Sequence, residues 1–238
     1  MPEEEYSEEK APSGRAWVLS WKARDLQEID SIFFDCDGVL VDVRDSYDST
    51  IIETVRLLAE RLMDLTLPES MPTRRSILEL KRSGGFNNDW FVSYALLLGI
   101  YAYFPGRTSE DVPEAISTKV RERILSDRIK RSRTPRSLSP GTSDTWRLVD
   151  EAVLKLAGKA DHTGIHSLIK ILEEEGRESD VNAVKRLLGY PVEASIVGRV
   201  FDEMFYGPQL FRDKFKTEPK FYGGTGFVLN LSRKSCGP

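Results

Sequence analysis

Cysteine is scarce in this chain, which has 238 residues and only two cysteines, Cys36 and Cys236. Nothing in the sequence suggests the disulfide framework that stabilises small secreted domains. Long apolar runs are also absent, because the longest, from Tyr94 to Phe104, falls well short of the roughly 18 residues that span a membrane. Residues 1–10 are acidic and lack the basic and apolar regions of a secretion signal. We therefore expect a soluble cytoplasmic protein with no membrane partner.

A net positive charge is absent too. The chain has 34 Lys and Arg residues against 38 Asp and Glu residues, a formal net charge of -4. Proteins that bind nucleic acid are usually basic, so we expect no nucleic-acid partner. One basic segment, residues 119–136, is typical of a solvated helix face, and contact with an anion or RNA is the alternative. No aromatic residue is interleaved in it, which argues against binding of single strands.

Helical periodicity is what the chain has in abundance. Ile51, Val55, Leu58, Leu62 and Leu65 recur at steps of three and four, which predicts an amphipathic helix capped at Asp45 or Ser46. The same reasoning predicts helices over residues 73–82, from Asn87 or Asn88 to Phe104, over 113–130, and in four apolar sets between Val149 and Phe205. Residues 46–215 are therefore expected to be a mainly α-helical domain.

Strand signals are few. The compact apolar run Ile32 to Phe34 predicts a buried strand, and residues 16–21 are a candidate edge strand. We expect residues 1–14 to be a disordered lead-in, 15–45 to begin an α/β core, and 216–238 to return toward that core. A parallel α/β sheet needs more strands alternating with helices than this sequence offers.

The loop after the predicted strand carries two carboxylates two residues apart, Asp35 and Asp37, followed by Gly38. A carboxylate is a competent nucleophile toward phosphorus, and a second one can act as general acid and base. Carboxylate and carbonyl oxygens also suit Mg²⁺, and a glycine lets a ligand approach the backbone closely. The spacing alone leaves two alternatives. One is a strand that simply ends in an ordinary turn, and the other is a pair of carboxylates that binds a metal without covalent chemistry.

Residues 35–42, Asp-Cys-Asp-Gly-Val-Leu-Val-Asp, resemble the first motif of the haloacid dehalogenase (HAD) superfamily in its phosphatase form. Residues 43–55 and the segment Gly-Gly-Phe-Asn-Asn-Asp-Trp at 84–90 resemble a branch of subfamily I. The resemblance, to a subfamily IA-like phosphatase, implies an α/β Rossmannoid core and a large helical cap that closes over the substrate. It also implies that Asp35 attacks the phosphorus of a small phosphomonoester, that Asp37 acts as acid and then base, and that both residues hold Mg²⁺.

The cap segment offers candidate substrate contacts in Asn87, Asn88 and Asp89, and Lys81 is a weaker candidate. Gly38, in the loop that carries Asp35 and Asp37, is a further candidate. The alternative for the same segment is structural, since a Gly stop followed by an Asn N-cap needs no substrate.

The later motifs of the family are not recognisable downstream of Phe205. They are a Thr or Ser after an apolar strand, a charge-stabilising Lys and an acidic pair, and Thr225 is the only hydroxyl residue there in a Gly-rich setting. We expect a truncated or frame-shifted chain that lacks most of the core sheet and is impaired as a phosphatase. A phosphomutase of the same family and a non-catalytic helical binding module are the alternatives.

Overall fold

The computed structural model describes residues 6–11, 14–22, 25–31, 33, 41–106, 112, 116–130, 142–230 and 232–233. The chain divides into two compact units. One comprises Met1–Val43 with Leu231–Pro238, and the other is the helical unit, Arg44–Asn230.

The first unit contains short antiparallel strands. Strand β1 (Tyr6–Ala11) pairs with β2 (Gly14–Leu19) in a hairpin whose register sets Tyr6 opposite Leu19, and β3 (Val41–Asp42) pairs with β4 (Ser232–Arg233). The disordered lead-in predicted for residues 1–14 is therefore wrong for β1. Cross-strand pairing organises this polar segment, with Ser7 donating to the Val18 carbonyl at 3.2 Å. The edge strand predicted at residues 16–21 corresponds to β2.

The buried strand predicted at Ile32 to Phe34 is not observed at Phe33, whose side chain is 96% exposed and which lies outside any strand. A buried strand needs paired neighbours, and within the described part of the chain the strands form only the two antiparallel pairs. The predicted Rossmannoid sheet is thus not among the described residues, while the mainly helical architecture predicted for the rest is confirmed.

The helical unit is an all-α assembly. Its helices are α1 (Ser49–Met63), α2 (Arg74–Arg82), α3 (Asp89–Tyr103), α4 (Thr118–Lys130), α5 (Ser143–Gly158), α6 (Ile165–Glu174), α7 (Glu178–Leu188) and α8 (Ile196–Phe215). None of the described helices combines the length and the apolar composition needed to cross a membrane.

Helix α3 is the centre of the core. Every residue from Val92 to Ala102 is buried, as expected for a helix that is apolar on all sides. It contacts α1, α2, α5, α6, α7 and α8. The start of α3 is therefore held by packing from most of the unit.

The helix starts test the capping predictions. Thr73 caps α2, accepting from the Ser76 N–H, and Asn88 caps α3. The cap predicted for α1 at Asp45 or Ser46 is wrong, because a π-helical turn, Arg44–Asp48, precedes the helix. Ser46 is buried, and its carbonyl accepts from the Thr50 hydroxyl at 2.6 Å.

The segment after α8 belongs to the helical unit, beyond the boundary predicted at residue 215. Its anchor is Glu203, which is fully buried. The Glu203 carboxylate accepts from the backbone N–H groups of Lys220, Phe221 and Tyr222 at 2.8, 2.6 and 3.2 Å. It also pairs with Arg199 Nε at 2.7 Å. These bonds satisfy a charge that would be costly to bury alone.

Candidate functional site

The predicted site residues fall into two groups. Asp35, Asp37 and Gly38 lie outside the described residues. The predicted cap residues Lys81, Asn87, Asn88 and Asp89 lie together, where α2 ends and α3 begins. The last three line a cavity of about 410 Å³ with α8 residues, which we call the Asn87 pocket.

The turn that leads into this pocket depends on glycine. Gly84 has a φ of 80°, which favours glycine. A Cβ on Gly85 would lie 2.4 Å from both the Asp161 carbonyl oxygen and the Gly164 nitrogen. The backbone at Gly85 therefore packs directly against the backbone of residues 161–164. Phe86 follows and is fully buried. The Gly-Gly-Phe part of the motif thus positions the chain, and Asn87 is its first exposed polar residue.

Asn88 has the structural role. Its Oδ1 accepts from the Trp90 N–H at 2.8 Å, which makes it the N-cap of α3. Asn87 makes no such bond and is exposed at the pocket lining. The two predicted contacts therefore differ, because only Asn87 has a side chain uncommitted to the cap.

Lys81 is a bridge between two acids. Its ammonium lies 3.0 Å from Asp89 Oδ1 and 3.6 Å from Asp48 Oδ1. Burial raises the pKa of Asp48 above its usual value, although Lys81 opposes the shift. Lys81 ties the turn before α1 to the start of α3 and does not itself line the pocket.

Asp202 on α8 is the acid that faces this group across the pocket. Burial raises its pKa to about 6, and the hydrogen bond from the Trp90 side chain offsets part of that shift. Trp90 can lie this close to α8 because Gly198 has no Cβ, which would sit 3.0 Å from the indole ring. Asp202 is therefore a carboxylate that exchanges a proton near neutral pH.

Lys214 supplies the cation. Helix α8 breaks at Gly207, which has a φ of 69° and precedes Pro208. Beyond the break, the Lys214 ammonium donates to the Tyr206 hydroxyl and lies 4.1 Å from the Tyr206 ring centroid and 5.3 Å from that of Phe215. This is a cation–π arrangement at the pocket wall.

The completed pocket combines both charges, amides and aromatic rings. Its lining is Asn87, Asn88, Asp89, Trp90, Phe201, Asp202, Tyr206, Lys214 and Phe215. Such a lining suits a small organic molecule that has hydroxyl or amine groups on one side and an apolar face on the other. Asp202, Tyr206 and Lys214 were not predicted, because none of them belongs to a motif that the sequence analysis identified.

Among the described residues, no group of three or more His, Cys, Asp and Glu side chains is placed to bind a metal ion. The prediction of Mg²⁺ rests on Asp35 and Asp37, which lie beyond it. Comparisons of the chain with protein-family models, with curated proteins and with solved structures find no match.

Proposed function

We propose that this chain is a HAD-type, Mg²⁺-dependent phosphohydrolase that acts in the cytoplasm on a small phosphomonoester. The helical unit would be its cap, and residues 32–42 would begin its α/β core. The observation that carries the proposal is the arrangement of Lys81. It joins Asp48, which follows the Asp35–Asp42 motif closely in sequence, to Asp89 at the Asn87 pocket. Both segments of the family resemblance are thus connected to one charged cluster.

The proposed chemistry proceeds in two steps. An oxygen of the Asp35 carboxylate attacks phosphorus, the ester oxygen leaves, and Asp37 donates its proton to that oxygen. Asp37 then takes a proton from water, which attacks the aspartyl-phosphate and releases inorganic phosphate and free Asp35. When bound, Mg²⁺ held by the Asp35 carboxylate and the Asp37 carbonyl would offset phosphate charge.

The Asn87 pocket would receive the part of the substrate that becomes the alcohol product. Asn87, Asp202 and Lys214 offer hydrogen-bond donors and acceptors, while the aromatic rings cover an apolar face. The volume of about 410 Å³ fits a small metabolite.

The test is hydrolysis of p-nitrophenyl phosphate with and without Mg²⁺. We expect the wild-type chain to show slow Mg²⁺-dependent turnover, because the later family motifs are not recognisable in it. Asp35→Asn should reduce that turnover to background, because the variant lacks the nucleophile. Asp30→Asn, which removes an exposed acid shortly before the motif, is the matched control and should retain the wild-type rate. Equal rates for Asp35→Asn and wild type would refute the proposal.

A non-catalytic binding module is the second candidate, favoured by one observation. The helical unit has its own continuous core and a pocket whose Asp89 is paired with Lys81 of the same unit. In that case a ligand would bind at the Asn87 pocket, phosphate release would be absent, and Asp35→Asn would leave the binding constant unchanged. Measuring phosphate release and binding on the same preparation separates the two candidates.

A further inference from the structure

A second cavity of about 780 Å³ lies in the helical unit where α4 begins and α7 ends. Its charged lining residues are Arg121, Lys185 and Arg186, and its hydroxyl groups come from Ser117, Thr118 and Tyr190. None of the described residues that line it is acidic. We call it the basic pocket. It shares no lining residue with the Asn87 pocket.

Arg121 is the most deeply placed of these cations, with a side chain only 5% exposed. Its Nε donates to the Leu187 carbonyl at 2.6 Å, and its Nη2 donates to the carbonyls of Ile116 and Arg186, both at 2.9 Å. Its Nη1 group has no acceptor among the described residues. This group lies at the cavity wall, 3.2 Å from where a Cβ on Gly189 would be.

The charge of Arg121 is not cancelled inside the unit. No carboxylate of the described chain lies within ion-pair distance of it. Burial lowers its pKa, and the influence that opposes this shift comes from Tyr94. An arginine remains charged under these conditions. A buried guanidinium that is paired only with carbonyls leaves a net positive charge beside the cavity.

Lys185 adds to this charge from the last turn of α7. The Lys185 ammonium lies 5.1 Å from the Tyr190 ring centroid. Basic residues at a helix C-terminus compensate the helix dipole, which is equivalent to only about half an elementary charge. The Lys185 charge alone therefore exceeds what the end of α7 requires, and the Arg121 charge adds to it.

Helix α4 contributes in the same direction. Ser117 Oγ accepts from the Val120 N–H at 3.4 Å, and the first N–H groups of a helix have no partners within it. Its N-terminal end carries partial positive charge. Cationic side chains and a helix N-terminus thus surround one cavity, together with the Arg121 Nη1 group, which has no acceptor among the described residues.

We propose that the basic pocket binds a small anion with two linked phosphate groups, of the pyrophosphate class. One phosphate group carries about -1.5 to -2 charges at pH 7, so the Arg121 and Lys185 cations suit a phosphorylated anion. The cavity is large enough for two such groups. Tyr190 offers a ring face to whatever organic group the diphosphate bears.

The experiment is calorimetric titration of the full chain with pyrophosphate in a metal-free buffer of low ionic strength. We expect saturable binding with one site per chain, weakened at least about tenfold in Lys185→Gln. Lys155→Gln, which removes an exposed lysine on α5, is the matched control and should keep the wild-type affinity. No binding at millimolar pyrophosphate, or equal weakening in both variants, overturns the proposal.

Two further arms locate and identify the ligand. Asp35→Asn should bind pyrophosphate as well as wild type does, and loss of binding in that variant would move the anion to the proposed catalytic centre. Inorganic phosphate should bind at least about tenfold more weakly than pyrophosphate, and equal affinities would overturn the diphosphate class. Arg121 is left intact, because its bonds to three carbonyls also support folding.

Discussion

Glu203 and Arg121 are both buried charges, and both are satisfied by three backbone groups. Glu203 accepts from the N–H groups of Lys220, Phe221 and Tyr222, whereas Arg121 donates to three carbonyls. They differ in their counter-ions. Arg199 lies 2.7 Å from Glu203, while no carboxylate of the described chain pairs with Arg121.

The same difference separates the two pockets. Around the Asn87 pocket, Lys81 lies between Asp48 and Asp89, and Lys214 opposes Asp202. The basic pocket has cations alone along its described lining. Hydrogen bonds to the backbone make a buried charge tolerable, but only an opposite charge removes its field. On the two proposals above, a ligand of the Asn87 pocket is selected by shape and polarity, and a ligand of the basic pocket by charge.

Among the variants that test the contrast between Glu203 and Arg121, we expect Glu203→Ala to have the largest effect on stability. It leaves Arg199 without its partner and three backbone N–H groups without an acceptor. We expect a loss of about 3–5 kcal/mol in the free energy of unfolding, measured by urea denaturation. Glu193→Ala, which removes an exposed acid, should change stability by less than about 0.5 kcal/mol. Similar losses in the two variants would show that the Glu203 network is not what holds the segment after α8.

A smaller effect is expected from Gly85→Ala, which places a methyl group against the backbone at Asp161 and Gly164. We expect a loss of about 1–3 kcal/mol from overpacking, again by urea denaturation. Gly158→Ala is the control, because a Cβ there meets nothing within 4 Å. The change should also leave pyrophosphate binding intact, since Gly85 lies at the other pocket. Comparable stability of the two alanine variants would contradict the close backbone contact.

The smallest effect concerns Asp202, and it depends on pH. Its folded pKa of about 6 lies above the ordinary aspartate value of 3.8, so its contribution to stability is present below pH 3.8 and lost as pH rises through 6. Asp202→Asn should therefore be more stable than wild type by about 1 kcal/mol at pH 8, after allowance for solvent screening. The difference should vanish near pH 4.

Urea denaturation at pH 4, 6 and 8 measures this trend. Asp213→Asn, which removes an exposed acid from the same helix, controls for the loss of one negative charge. A stability difference that stays constant across the three pH values would show that the Asp202 carboxyl is not shifted.

Much of the helical unit could be predicted because its signals are local. The apolar spacing located α1, an asparagine at residue 87 or 88 was recognisable as the cap of α3, and Gly84 marked the end of α2. The start of α1 was misplaced because Ser46, a good cap by composition, is buried within a π-helical turn that precedes the helix. The hairpin at Tyr6–Ala11 was missed because its polar sequence has no apolar alternation, and cross-strand pairing alone reveals it.

The sequence by itself determined where the helices of this protein form, since hydrogen bonds and apolar spacing within a few residues decide that. It also limited the cap of α3 to Asn87 or Asn88, and the structure shows that Asn88 is the cap. Only the tertiary structure decided that Asp202 and Lys214 would complete the pocket beside Asn87, and that Arg121, in a segment predicted to be solvated, would be buried. The periodicity of a helix shows which face is apolar, but the partner that covers it depends on packing between distant segments.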